Sequence, residues 1–195
     1  MKKIVFATGN EGKMKEVRMI LEDLGLPVLS LKDAGITADV EENGTTFEEN
    51  ALIKANYVMN ACHCAAIADD SGLEVDALGG APGVYSARYC GRHGDDDANN
   101  ALLLRNLEGI PAPRKARYVA AIALVRSGHA PIVCRGTCEG EILTEGRGNG
   151  GFGYDPLFLC EMGKTFAEIS PEVKNAISHR KRGIEAVLHA LEAEQ

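Results

Sequence analysis

Thr8-Gly9-Asn10-Glu11-Gly12-Lys13 sets a hydroxyl, an amide, two glycines and a lysine in six consecutive positions. Ile4-Val5-Phe6-Ala7 precedes it and an amphipathic stripe follows, so it reads as a strand-to-helix turn. Such a turn presents backbone N–H groups at the positive end of a helix dipole, which suits an anion such as a phosphate. The glycines let the anion approach the backbone, and Lys13 adds a point charge. It is not a Walker A loop, because two residues separate the glycines and Met14 stands where Ser or Thr would hold magnesium. A plain capped turn is the alternative.

Carboxylates form the second set. Glu41-Glu42 precede a Gly-Thr-Thr turn, and Asp69-Asp70 follow the apolar strand Ala65-Ala66-Ile67-Ala68. Hard oxygen ligands of this kind suit Mg²⁺, which takes one or two carboxylates and leaves other positions to substrate phosphates. Successive strand residues point to opposite faces, so Asp69 and Asp70 cannot share one role. Capping aspartates and a solvated Glu pair are the alternative.

The third set is Gly148-Asn149-Gly150-Gly151-Phe152-Gly153-Tyr154-Asp155-Pro156. Glycine at that density is entropically costly unless backbone must pass close to something. Phe152 and Tyr154 offer flat faces for stacking on a base; a flexible hairpin loop is the other reading. Lys174 and Ser178-His179-Arg180 place cations near helix starts, against the macrodipole, a local cost that a ligand's electronegative edge would offset. Lys54 lies beside a helix stripe, where a lysine usually snorkels to the surface.

The elements that must position these groups are legible from periodicity. Met14, Val17, Leu21 and Leu24 mark one face of a helix capped by Asn10, and Pro27-Val28-Leu29 begins a second strand, completing a βαβ unit. Thr46-Phe47-Glu48-Glu49 is a capping box for a helix with the stripe Ala51, Ala55, Val58 and Cys62. Residues 95–107 read as a helix. Tyr118 to Val125 and Ile132 to Ile142 read as an antiparallel pair, and Leu157-Phe158-Leu159 as a strand. Ser170 with Pro171 starts a short helix, and Ser178 caps the last, whose stripe is Ile184, Val187, Leu188 and Leu191. The whole reads as mixed α/β, a twisted sheet covered by helices, without repeats, low-complexity tracts or linkers.

Twenty-one Lys and Arg against 28 Asp and Glu leave a net charge of −7 on 195 residues. An acidic chain is a poor match for phosphate-backbone binding, so nucleic acid is not expected as a partner. After the lysines at positions 2 and 3 come four apolar residues, short of the roughly 7–15 of a secretory h-region. No stretch approaches the roughly 20 apolar residues of a membrane span. The expected location is the cytoplasm, with the six cysteines as reduced thiols. Cys134 and Cys138 would lie about 13 Å apart on one strand face at ~3.3 Å per residue, too far for one metal.

The ordered set resembles the inosine triphosphate pyrophosphatase family, the dITP/XTP pyrophosphatases that remove deaminated purine nucleotides. The resemblance rests on Thr8–Lys13, the Glu-rich segment before Thr46-Phe47-Glu48-Glu49-Asn50-Ala51, Ala68-Asp69-Asp70-Ser71-Gly72-Leu73, Leu78–Tyr89, Gly150–Pro156 and Ser178-His179-Arg180. It implies one domain over residues 1–195, an elongated two-lobed α/β fold with a twisted mixed sheet flanked by helices and an active-site cleft between the lobes. It also implies a homodimer. The implied reaction cleaves a purine nucleoside triphosphate between the α and β phosphates, giving monophosphate and pyrophosphate.

By the same resemblance, Asp70 is the general base and a Mg²⁺ ligand, and Glu41 is the second metal ligand, with Glu42 as its close alternative. Thr8, Gly9, Asn10, Glu11, Gly12, Lys13 and Lys54 hold the triphosphate, and Ser71 contacts substrate. Phe152, Gly153, Tyr154 and Asp155 form the base pocket. Lys174, His179 and Arg180 complete nucleotide binding. Donors from His179 and Arg180 would favour a 6-keto purine over adenine. Two other classes fit less well: another Mg²⁺-dependent phosphoryl-transfer enzyme, such as a kinase, and a non-catalytic nucleotide-sensing module.

Overall fold

The computed structural model describes residues 3–37 and 40–194. Positions 1 and 2, part of the N-terminal reading, and position 195, the end of the expected domain, lie outside the described residues. The elements in chain order are β1 (Ile4–Phe6), α1 (Glu11–Asp23), β2 (Val28–Leu29), α2 (Phe47–Cys62), β3 (Ala65–Val75), α3 (Asp96–Asn106), β4 (Lys115–Val125), β5 (Ile132–Ile142), β6 (Phe158–Cys160), α4 (Pro171–Ile177) and α5 (His179–Glu192).

The strands form one mixed six-stranded sheet, flanked by helices, in the order β2-β1-β3-β4-β5-β6. β1 pairs in parallel with β2, Ile4 opposite Val28, and with β3, Phe6 opposite Ile67. β1 is buried along its length, as a strand inside a parallel sheet must be. β6 pairs antiparallel with β5, Glu141 opposite Leu159.

The chain divides into two compact units, the first made of Met1–Asp70, Ala120–Gly136 and Arg180–Gln195, the second of Ser71–Val119 and Thr137–His179. Each has its own apolar core. Phe6, Val17, Ile20, Leu21, Ile67, Ile122, Ile184 and Val187 pack together in the first. Leu73, Leu103, Leu107, Tyr118, Phe158 and Phe166 do so in the second. Burying one such side chain stabilises by about 1.5–3 kcal/mol. In the first unit Gly183 of α5 lies against β4: a Cβ there would stand 2.7 Å from Ile122 Cγ1.

The helix starts follow their caps. Asn10 Oδ1 accepts from Lys13 N–H, Thr46 Oγ1 from Glu49 N–H and Ser170 Oγ from Val173 N–H. Two expectations shift. The buried face of α1 carries Val17, Ile20 and Leu21, while Leu24 is 42% exposed because the helix ends at Asp23. β3 continues past Ala68 to Val75, so both aspartates sit inside the strand rather than at its end. Asp and Gly are poor strand formers; here ion pairs hold the two carboxylates in place.

Candidate active site

In the first unit, α1, α2, the segment before it, β3 and α5 bring seven charged side chains together. Asp69, fully buried, is held on both oxygens: Lys13 Nζ lies 2.9 Å from Oδ1 and Arg180 Nε 3.1 Å from Oδ2. Arg180 also donates through Nη1 to Glu16. Lys13 and Glu16 lie three apart on α1, so one helix face supplies a cation to Asp69 and an anion to Arg180. Burial alone would raise the Asp69 pKa. Arg180 and Lys13 outweigh it and hold this carboxyl far below the usual range.

Asp70, the next residue of β3, has different partners. Asn50 Nδ2 donates to its Oδ2 at 3.1 Å and Lys54 Nζ to its Oδ1 at 3.3 Å. Lys54 also pairs with Glu42 Oε2 at 3.1 Å, so Glu42 and Asp70 share one cation. Asn50 and Lys54 are four apart on α2 and so reach the same carboxylate from one face. The Asp70 pKa is raised, first by burial and then by Glu42 and Asp69, against the pull of Lys54 and Lys13. Burial disfavours the Lys54 charge, but Asp70 and Glu42 more than restore it. Lys54 is therefore a buried cation shared by two carboxylates, not a snorkelling surface lysine.

Around this cluster, the Thr8–Lys13 turn stands at the N-terminus of α1 with Gly9, Asn10 and Glu11 exposed. Thr8 Oγ1 accepts from Asn10 N–H at 3.1 Å, which sets the turn. Glu41 is exposed, whereas Glu42 is half-buried and paired. Of the two expected acids, Glu42 is the one the structure places with Asp70. The charges at the start of α5 are offset within the chain: Arg180 meets Asp69 and Glu16.

The second unit holds the glycine-rich segment. Asp155 is buried, and its oxygens accept from Tyr118 Oη at 2.9 Å, Lys174 Nζ at 2.6 Å and Phe152 N–H at 3.0 Å. Lys174 Nζ also lies 4.7 Å from the Phe152 ring centroid. Tyr154 is buried and donates to the Ser86 carbonyl at 2.7 Å, so of the two aromatic faces Phe152 is the accessible one. The His179 ring stacks on Tyr118 at 4.8 Å between centroids, and Tyr118 on Phe166 at 5.6 Å. Ser71, half-buried, follows Asp70 along β3.

The glycines of this segment answer to the chain itself. A Cβ on Gly151, at φ +69°, would lie 2.1 Å from Asp155 Oδ2, and one on Gly148 would meet the Ala167 backbone at 2.5 Å. The sequence reading passed over Glu16, Asn50 and Tyr118. The first two carried a signal, each being a polar residue one helical turn from a named lysine. Tyr118 carried none.

Among the described residues no group of three or more His, Cys, Asp or Glu side chains is arranged to hold a metal ion. All six cysteines are free thiols. No described helix is long and apolar enough to cross a membrane.

The sequence model of the Ham1 family matches residues 4–190. A dITP/XTP pyrophosphatase of Clostridium perfringens is 50% identical over 193 residues, 95% of each chain. A dITP/XTP pyrophosphatase of Geobacter sulfurreducens is 50% identical over 186 residues, 94% of each chain. The solved structure of the Staphylococcus aureus Ham1 protein aligns over the whole of both chains with a TM-score of 0.86 at 42% identity.

Proposed function

The chain belongs to the Ham1 family, and from that premise we propose that it is a dITP/XTP pyrophosphatase. It hydrolyses non-standard purine nucleoside triphosphates (ITP, dITP and XTP) to the monophosphate and pyrophosphate, removing them from the nucleotide pool. The observation that carries this reading is the Asp70 carboxylate, held by Asn50 and Lys54 and raised in pKa, close to a phosphate-binding turn that ends in Lys13.

A base works best when its pKa approaches the operating pH, and the Asp70 environment moves it in that direction. In the proposed step a water oxygen attacks the α phosphorus. Its proton passes to the Asp70 carboxylate, the bond from the α phosphorus to the bridging oxygen breaks, and pyrophosphate leaves with the electron pair. Asn50 and Lys54 orient Asp70 for this transfer. Lys13 and the N–H groups of its turn oppose phosphate charge.

Electrostatics supports a metal requirement. Lys13, Lys54 and Arg180 face Glu16, Glu42, Asp69 and Asp70, so three cations meet four carboxylates and the cluster is net negative. A triphosphate needs further positive charge there. The Asp70–Glu42 pair is a hard-oxygen donor set suited to Mg²⁺, with Glu41 as the adjacent acid. When bound, Mg²⁺ would neutralise charge developing on the phosphate oxygens.

We assign the purine to the Phe152–Asp155 segment, where Phe152 offers a stacking face and Asp155 and Lys174 hold the loop in shape. The family resemblance also supports a cytoplasmic homodimer; light scattering after gel filtration tests the dimer. Product analysis tests the reaction. Monophosphate plus pyrophosphate supports it, a phosphoryl group moved to an acceptor indicates a kinase, and unchanged nucleotide indicates a sensing module.

A further inference from the structure

Both polar groups of the Gly153 backbone are captured by one helix. Gly153 N–H donates to Asp96 Oδ2 at 2.7 Å, and Asn100 Nδ2 donates to the Gly153 carbonyl at 2.9 Å. Asp96 and Asn100 lie four apart in α3, so their side chains leave the same face. The Asn100 amide also donates to the Asp96 carbonyl at 2.9 Å. Both its neighbours are carbonyls, so only the NH₂ end can face Gly153.

This arrangement carries a local cost. Asn100 Oδ1 is buried and has no hydrogen-bond partner among the described residues. Leaving such an acceptor unsatisfied forfeits the hydrogen bonds it made to water in the unfolded chain. An apolar side chain would fill the position without that cost but would leave the Gly153 carbonyl unheld. Buried unsatisfied groups in native folds call for an explanation, and the capture of Gly153 supplies one. Gly153 sits at φ +60°, in the left-handed region, directly after Phe152. Tyr154 on its other side is fixed in the core through its bond to Ser86. The backbone at Gly153 therefore sets the direction of the one accessible ring, Phe152.

We propose that Asp96 and Asn100 are positioning residues for purine selectivity, clamping the Gly153 peptide so that Phe152 presents a fixed face to the base. The inference rests on the assignment of Phe152–Asp155 to the purine. Neither residue touches the phosphates or the Asp70 cluster in this account, so releasing the clamp loosens base recognition and leaves the chemical step alone.

The test compares Asn100→Ala, Asn100→Leu, Asp96→Ala and Asp96→Asn with the wild type, measuring kcat and KM for ITP and ATP and the melting temperature. Asn100→Ala and Asp96→Ala are expected to raise KM for ITP about 3–10-fold, the scale of one or two hydrogen bonds, with kcat within about twofold. The ITP-to-ATP ratio of kcat/KM narrows by a similar factor. Asn100→Leu removes the unsatisfied acceptor, so it melts no lower than the wild type yet shows the same loss of selectivity. Asp96→Asn keeps an acceptor oxygen and recovers wild-type KM to within about twofold. A folded Asn100→Leu protein with unchanged KM and ratio would overturn the clamp while leaving the pyrophosphatase reading intact. An equal fall in kcat for both nucleotides, with KM unmoved, would also overturn it. A wild type that releases no pyrophosphate from ITP would overturn both.

Discussion

Lys13 Nζ lies 2.9 Å from Asp69 Oδ1, while the other oxygen of the same carboxylate holds Arg180. Asp69 thus fixes Lys13 of α1 and the start of α5 at once. Its neighbour Asp70 faces Asn50 and Lys54. Adjacent acids on one strand do separate work because each meets its own cations.

Asp69→Asn is expected to lower stability by about 3–5 kcal/mol at pH 7, since it leaves two cations without their shared buried partner. The Asp69 pKa is depressed in the folded state, so its contribution is present above the unfolded value near 3.9 and is lost as pH falls from there toward the depressed folded value. Urea unfolding at pH 7 and pH 3 checks this. The gap between wild type and variant should narrow at the lower pH, and a constant gap would contradict the assignment.

Asp70→Asn should keep the fold and nucleotide binding while lowering turnover about 10²–10⁴-fold. The sign of its pH effect on stability is opposite to that of Asp69. A carboxyl whose folded pKa is raised favours the folded state at low pH. That contribution fades as pH climbs from about 3.9 through the folded value. Stability measured between pH 4 and 7 should fall less steeply in the variant than in the wild type. More than a tenth of wild-type turnover at saturating Mg²⁺ would remove Asp70 from the base role.

Lys54→Met leaves Asp70 and Glu42 without the cation they share. Like charges left facing each other push both carboxyls toward protonation. The acid limb of the kcat/KM profile should move to higher pH, so activity falls more at pH 6 than at pH 8. A uniform fall at every pH would make Lys54 a phosphate ligand without influence on the base.

Arg180→Ala is expected to lower kcat/KM for ITP, XTP, GTP and ATP by similar factors, because Arg180 is tied to Asp69 and Glu16. A charged hydrogen bond is worth about 1.5–3 kcal/mol, or about 10–150-fold. Steady-state kinetics on the four nucleotides decides the point. A fall confined to ITP and XTP would instead give Arg180 the 6-keto contact.

Local chemistry made much of this molecule readable. Asn10, Thr46 and Ser170 cap their helices because a short polar side chain before an apolar stripe has one economical conformation. The parallel β1 and β2 around α1 follow from a wholly apolar strand and a 3.6-residue stripe. What stayed hidden depends on partners distant in sequence. Lys54 looks like a surface residue until Glu42 and Asp70 arrive from elsewhere in the chain. β3 extends through two aspartates because Lys13, Arg180 and Lys54 compensate their charge there. The glycines of the Gly148–Gly153 run looked ligand-driven, yet Ala167 and Asp155 require Gly148 and Gly151.

The reaction is read from the products formed from ITP with Mg²⁺ and with excess EDTA, by mass spectrometry and a pyrophosphate assay. Inosine monophosphate and pyrophosphate are expected in equal amounts with the metal, and no turnover once it is chelated, if the chain is a Mg²⁺-dependent pyrophosphatase. Inosine diphosphate with inorganic phosphate, or full activity in EDTA, would contradict it.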